Sequence, residues 1–524
     1  MRRFKVHLFV LLILLASDTR ESLGLQSTTN AAFETPRTPK TSSVKVETVA
    51  FTAKRLSQQI GVMKISPNCS RFIMTFSDIV QGGKKPVVVS IDGEEKEYPN
   101  FAVNSIRFSE DSRRYGFSIW NGSEFQLVVD GRPVGSPAES VRDLVFSPDG
   151  RKFAYVTGTN DKYSIANTDD PSFPAIQSLT YSTDGKRLAY MGSGGTGATL
   201  MIDGKIIATG ATHFPQSLSV GPNKAMIVLT KSDGQYVYDG SEVKGPFHDV
   251  PFYTLSRNGL NSLCVIQREE SSRQELYVDS RKIAEFDEAL DVKWANKQNK
   301  PFFIARDGEG EKAFVGSEVV AQGSDLARLT LMGKRGYGLI KRDPRLGDQL
   351  VIDGKTVYQP GAGERLMDFS TSAEGTSWCA TSIKPGGKPE DNIANCTVNG
   401  QTSKNYNDLT RVSFSTDGKS WSYGAWDGND YYIISHERTY GPFDSNGSPP
   451  MMSPDGKHFA FFGSTQEGQT GIFIDGELLY TALEAVSWND GIAFAFDGDS
   501  TLNAVVVWSQ KRLLTYFTQV RFSW

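Results

Sequence analysis

Apolar residues in this chain fall in short runs, and two turn signatures break them alternately from near residue 60 to near residue 517. The first is an apolar stretch, a four-residue turn and a second apolar stretch: FSPDGRKFAYV from Phe146, YSTDGKRLAYM from Tyr181, FSTDGKSWSYG from Phe414 and MSPDGKHFAFF from Met452. The second is an apolar strand cut by Asp-Gly: LVVDGRPVG from Leu127, LMIDGKIIATG from Leu200, LVIDGKTVY from Leu350 and IFIDGELLY from Ile472. Diverged copies keep the length, so that LYVDSRKIAEF from Leu276 overlays LVVDGRPVGSP from Leu127 without a gap. A two-residue Asp-Gly between apolar strands is the favoured hairpin turn, because both positions need positive φ. Ser-Pro-Asp-Gly suits a longer turn: Pro presets φ, Asp bonds the backbone ahead and Gly takes the left-handed position. One repeat is therefore two hairpins, or four short antiparallel strands a to d.

A repeat of roughly 40 residues with four strands cannot bury both faces alone, and stacking such units around an axis solves the problem. The spacing predicts an all-β protein of about twelve four-stranded blades. The repeated S-P/T-D-G-K/R-x-h-A-Y, with h apolar, resembles the WD-repeat-like blades of TolB-type β-propellers over most of the chain. That resemblance implies a propeller fold but no one activity, since such blades serve as scaffolds, as gates of peptidases and in some lyases. The chain departs from the TolB pattern in having about twelve blades rather than six, in lacking an α/β domain ahead of them, and in its tight Asp-Gly hairpins. Twelve blades predict tandem β-propellers of six each, spanning 44–288 and 289–524. A seven-plus-five split and one large ring are the alternatives. The terminal QVRFSW resembles the inner-strand stretch SIRFSE from Ser105, so it is expected to complete a blade begun near residues 46–56. The alternation of Tyr516, Thr518, Val520, Phe522 and Trp524 fits a closing strand better than a membrane barrel, because ten-residue lipid-facing strands are missing from the repeats.

The first residues follow another rule. Arg2, Arg3 and Lys5 precede the apolar run Leu8 to Ala16, too short to cross a bilayer and suited to a secretory signal peptide over 1–24. The alternative is an uncleaved anchor. Residues 25–43 read as a flexible linker rich in Thr, Ser and Pro. The chain is thus expected to be exported, to the periplasm or the cell exterior, with no transmembrane helix after signal removal. With 56 basic and 60 acidic residues, nothing in its charge calls for nucleic acid.

Chemical signatures are sparse. No Gly-x-Ser-x-Gly, His-Glu-x-x-His or Cys-x-x-Cys occurs, so no catalytic residue, metal ligand or cofactor is assigned. His213, His248, His436 and His458 are scattered over different blades. GSGGTG from Gly192 resembles a phosphate loop but leads into a strand, not a helix, and reads as a hairpin. FSTDGKSW from Phe414 lacks the spacing of a sialidase Asp-box, and the loops 159–170 and 427–430 lack the alternating carboxylates of a calcium loop. Cys379 and Cys396, on strands b and c of one blade, are placed for a possible disulfide, whereas Cys69 and Cys264 read as small core residues. Asn68, Asn121, Asn395 and Asn446 stand in glycosylation sequons.

What remains is aromatic. Gly245-Pro246-Phe247 and Gly441-Pro442-Phe443 recur five blades apart, each expected just after a strand d, on the face that also carries the b-to-c loops. Phe247, Phe443, Trp426, Tyr431 and Tyr432 are the candidate binding residues of that face. The competing reading packs the same rings between blades. The expected function is a non-catalytic, exported scaffold for protein or peptide partners. The alternative is a polysaccharide hydrolase or lyase with its site in the channel.

Overall fold

The computed structural model describes residues 44–524 except 56–57, 79–86, 99, 102–104, 196, 212–217, 241, 295–299, 309, 334–335, 445–447, 482–491 and 511–513. The expected signal peptide and linker lie outside the described residues, as do His213 and Asn446. The described residues contain no α-helix, only a 3₁₀ turn at Pro389–Asp391. Among the described residues no helix is long and apolar enough to cross a membrane.

The strands sort into twelve antiparallel sheets taken in chain order. Blades 1 to 6 span 58–98, 100–138, 140–165, 175–211, 219–247 and 249–286. Blades 7 to 11 span 288–323, 326–358, 365–402, 408–444 and 451–481. Blade 12 combines 492–523 with the N-terminal strand Lys45–Arg55. First strands of neighbouring blades approach one another, as Ser140–Phe146 does Ala175–Tyr181, so they form the inner edge. Most first strands carry a bulge, for example between Gln177 and Thr180 and between Leu366 and Asp368, which bends the strand at the inner wall. Blade 3 departs from the pattern: three strands pair, and beyond Ile165 only Tyr163 pairs with Phe173.

The turns take the predicted conformations for a local reason. Asp130, Asp203, Asp353 and Asp475 have φ of 49°, 49°, 48° and 51°, and the following glycines 78°, 72°, 76° and 84°. The aspartates also tie the two ends of each blade together. Asp92, Asp130 and Asp203 each accept the N–H that opens strand b (Phe72, Tyr115, Leu188) and pair with the preceding arginine (Arg71, Arg114, Arg187) at 2.8–3.0 Å. In blade 11, His458 replaces the arginine: its Nδ1 lies 2.7 Å from Asp475, and its ring packs 4.4 Å from Trp524. It is half-buried in this position.

Twelve apolar clusters fill the seams, one between each blade and the next. Leu502, Ala504, Val520 and Phe522 of blade 12 meet Ala460, Phe462, Ile472 and Ile474 of blade 11. Val505 of blade 12 meets Phe72 and Met74 of blade 1, which closes the circuit. The succession is one β-propeller ring of twelve blades, the large-ring alternative rather than six plus six. The expected division at 288/289 falls inside an ordinary seam, where Leu263, Val265, Leu276 and Phe286 pack on Val292, Phe303, Ala305 and Phe314. A six-bladed closure would need blade 6 to turn back on blade 1; its described apolar face meets blade 7 instead.

The termini meet as expected, with one change of position. Lys45 pairs with Ser523 and Arg55 with Leu514, so residues 514–523 are the third strand of blade 12 and the N-terminal strand is the fourth. The likeness of QVRFSW to an inner strand is therefore one of composition, not of place, because both strands must bury alternate apolar residues.

Ser147 sits at the start of an inner turn and is buried. Its Oγ accepts the Lys152 N–H at 2.9 Å and donates to Asp149 at 2.6 Å. Ser147→Ala leaves that N–H without its acceptor and should lower stability by about 1–3 kcal/mol in urea unfolding. Hydrogen bonds from the serine hydroxyls, more than any other neighbour, hold the carboxyls of Asp111, Asp149 and Asp184 below their ordinary value. Stability from a depressed carboxyl is present above the unfolded pKa of about 3.9 and is lost as pH falls through the folded value. The melting temperature should therefore drop as pH falls below about 4, less steeply in Ser147→Ala than in the wild type.

Candidate binding site

The five aromatic residues separate in the structure. Both Gly-Pro-Phe segments lie within strand d, in Val243–Phe247 and Thr439–Asp444, rather than after it, and each Gly-Pro bond is cis. Phe443 and Tyr431 are buried in the seam between blades 10 and 11. Phe443 packs edge-on against Phe461 and Phe473 with centroids 4.9 and 5.2 Å away, and Tyr431 donates its hydroxyl to the Ser448 carbonyl at 2.7 Å. Trp426 rests on Tyr431 at 4.7 Å. Tyr432 is half-buried on the other side of the blade, with Lys404 5.7 Å above its ring. Tyr431 and Phe443 are thus core residues, because the next blade supplies aromatic partners that cover them.

Phe247 has a different setting. It is half-buried and lines a cavity of about 200 Å³ in the seam between blades 5 and 6. Met226, Val237 and Ile266 give that cavity an apolar wall. Arg268 stands 5.9 Å above the Phe247 ring, bonds the Tyr277 hydroxyl at 3.2 Å and pairs with Glu275 at 3.1 Å. Burial works against the Glu275 charge, but hydrogen bonds from Lys282 and Tyr277 prevail and set its carboxyl below the ordinary value. Lys244 pairs with the buried Asp239 at 3.1 Å, and Ser280 bonds both at 2.7 and 2.6 Å. The cavity therefore offers an apolar wall and two compensated polar groups, an arrangement suited to a side chain or small molecule with a polar end.

Of the five aromatic candidates read from the sequence, Phe247 lines this cavity; Arg268, Tyr277, Asp239, Lys244 and Ser280, which line it with Phe247, were not among the candidates. Two signals were available. Asp239-Gly240 is an Asp-Gly copy whose aspartate turns to Lys244, and Asp279-Ser280 puts a serine where the turn prefers glycine. Ser280 adopts φ 66° and reaches Asp239 with its hydroxyl.

A second cavity, about 320 Å³, opens at the inner strands of blades 8 to 10. Arg328, Asp368, Asp408 and Arg411 supply its charge, with Arg328 3.7 Å from Asp368. Among the described residues no group of three or more His, Cys, Asp or Glu is placed to hold a metal ion. The GSGGTG segment joins Leu188–Gly194 to Gly197–Ile202, a hairpin between strands b and c.

No family model matches the chain, and no curated protein matches it. Among solved structures, the crystal structure of a eukaryotic initiation factor is 12% identical with a TM-score of 0.33, covering 71% of this chain and 96% of its own. The β-propeller domain of the Trilobed protease from Pyrococcus furiosus is 13% identical at TM-score 0.25, covering 58% and 97%. An oligogalacturonate lyase in complex with manganese is 11% identical at TM-score 0.23, covering 64% and 96%. At these scores the likenesses say nothing of activity, and the propeller rests on the strand order and the closed run of seams.

Cys264 reports on the cavity it lines. Burial, with Asp239 alongside, pushes its thiol up to about 12, and Lys244 opposes the rise. Native-state alkylation by iodoacetamide should be much slower at pH 8 than for a free thiol of pKa about 8.5, and should climb steadily to pH 11. Asp239→Asn should speed it and Lys244→Ala should slow it; equal rates in all three proteins would show that these charges do not face the sulfur.

Proposed function

We propose that this chain is an exported, non-catalytic binding platform that docks protein or peptide partners at the blade 5/6 seam. The reading is carried by the cavity beside Phe247, where an arginine and two aromatic rings border an apolar wall. Tyr, Phe and Arg around a desolvated pocket are the side chains that anchor protein interfaces. A side chain of the partner enters between Met226, Val237 and Ile266, and Arg268 with Tyr277 binds its polar end. The basic start and apolar run of residues 1–24 support export, and the repeat pattern resembles that of TolB-type propellers.

A crosslinked affinity pull-down of the tagged protein from its own envelope fraction, read by mass spectrometry, tests this. One or two stoichiometric partners are expected. Replacing Phe247 and Arg268 together by Ala should reduce their recovery by about tenfold or more, as loss of a hot spot does. Lys404→Ala, in the connection between blades 9 and 10, should leave recovery unchanged. Recovery that ignores the Phe247 and Arg268 changes overturns the site.

The inner cavity supports a second reading. Asp368 and Asp408 both line it, and paired carboxylates are the groups that cleave glycosidic bonds. Under this reading a polysaccharide panel yields new reducing ends with the wild type and none with Asp368→Asn. A panel without products leaves the binding platform as the function.

A further inference from the structure

Blade 9 holds a pair of sulfurs that neither reading uses. Cys379 lies on strand b (Trp378–Lys384) and Cys396 on strand c (Ile393–Val398). The register places Cys396 opposite Thr381 and Cys379 opposite Val398, so the cysteines are diagonal neighbours on one side of the sheet. Both are buried in the seam with blade 10, among Val398, Tyr406, Val412, Tyr423 and Ala425. Their Sγ atoms are 2.8 Å apart as two thiols, against about 2.05 Å in a bonded pair. Little movement separates the two states.

One of the two cysteines borders a cavity. Cys379 forms part of the wall of the 320 Å³ inner cavity, together with Asp368, Thr381, Asp408 and Arg411; Cys396 does not. Cys69 and Cys264 stand in blades 1 and 6, far along the ring from this pair.

We propose that Cys379 and Cys396 are a peroxide-oxidisable dithiol that closes to a disulfide at the blade 9/10 seam. Cys379 reacts first, from the cavity. Its thiolate attacks one oxygen of hydrogen peroxide; the S–O bond forms, the O–O bond breaks and hydroxide leaves. The Cys396 sulfur then attacks the resulting sulfenic acid; the S–S bond forms, the S–O bond breaks and the departing oxygen leaves as water. In sum, two thiols and one peroxide give one disulfide and two waters, with sulfur oxidised and peroxide reduced.

The surroundings set the pace. Burial, then the neighbouring Cys396 and the Asp368 carboxylate, hold the Cys379 thiol well above its ordinary value, with Tyr423 of blade 10 on the far side. The reactive thiolate is scarce at neutral pH, so the rate rises with pH across the alkaline range.

The test uses the whole purified chain, reduced, then exposed to hydrogen peroxide, quenched, denatured and alkylated with N-ethylmaleimide. Before peroxide all four cysteines of the sequence take label. After peroxide, Cys379 and Cys396 are expected to take none, with Cys69 and Cys264 still labelled. The intact mass before labelling should fall by about 2 Da, a linked 379–396 peptide should appear, and dithiothreitol should restore both thiols. In Cys396→Ser the reaction should stop at a sulfenic acid on Cys379, trapped by dimedone; the wild-type mass result stands without that variant. Four labelled thiols after peroxide, or Cys379 driven to sulfinic acid beside a free Cys396, overturns the proposal.

Discussion

A buried serine hydroxyl at the entrance of the inner turn is the interaction on which the rest of the blade depends in eight of the twelve blades. Ser66, Ser109, Ser147, Ser182, Ser256, Ser372, Ser415 and Ser453 are all buried, and each Oγ accepts the backbone N–H five residues on. In the same turns the serine N–H donates to the carbonyl of that same residue. A buried hydroxyl without partners would cost stability; here the turn itself supplies them. The glycine that follows is required by contact as much as by φ. At Gly456, φ is 75° and a Cβ would come 2.7 Å from Ser420 of the preceding blade's turn. Each turn is thus the stop against which the next blade rests.

Seams then decide stability. Ordering the backbone costs about 1–2 kcal/mol per residue, while a buried Phe or Leu returns about 1.5–3 kcal/mol. A lone sheet of four short strands has nothing to cover either of its faces. With neighbours on both sides, Phe303 packs on Phe286 of the blade before it and becomes fully buried, and Ile304 enters the cluster shared with Leu326 and Leu339 of the blade after. The gain exists only while both seams are filled. For blade 12 this joins the ends of the chain, because its fourth strand is Lys45–Arg55 and its third is Leu514–Ser523.

Hairpins were legible because a hairpin is written in neighbouring residues: Asp203-Gly204 must turn wherever it stands. The number of rings was not, since every seam uses the same kinds of apolar residue and a boundary at residue 288 looks like any other until Phe286 is seen on Phe303. The aromatic candidates were legible only in part for a related reason. Phe247 and Phe443 share the segment Gly-Pro-Phe and a cis bond, yet the next blade brings Phe461 and Phe473 to one and Arg268 and Cys264 to the other. The local sequence put both rings at equivalent points, just after a strand d; residues a blade away decided which was covered.

That contrast also says where chemistry can reside in such a ring. A repeat that is obeyed consumes its own polar groups: the Asp of Asp-Gly goes to strand b, the turn serine to its own backbone. Polar side chains become available for other work where the repeat is broken. Asp239 leaves the pattern for Lys244, and Ser280 replaces a turn glycine to reach it, and there a cavity remains in the seam. Blade 9 deviates in its own way, with two sulfurs among the apolar residues of a strand pair. Both features stand where a seam residue departs from its counterparts in other blades. In a protein whose fold is one motif repeated, the departures from the motif are the places where specific function is able to arise.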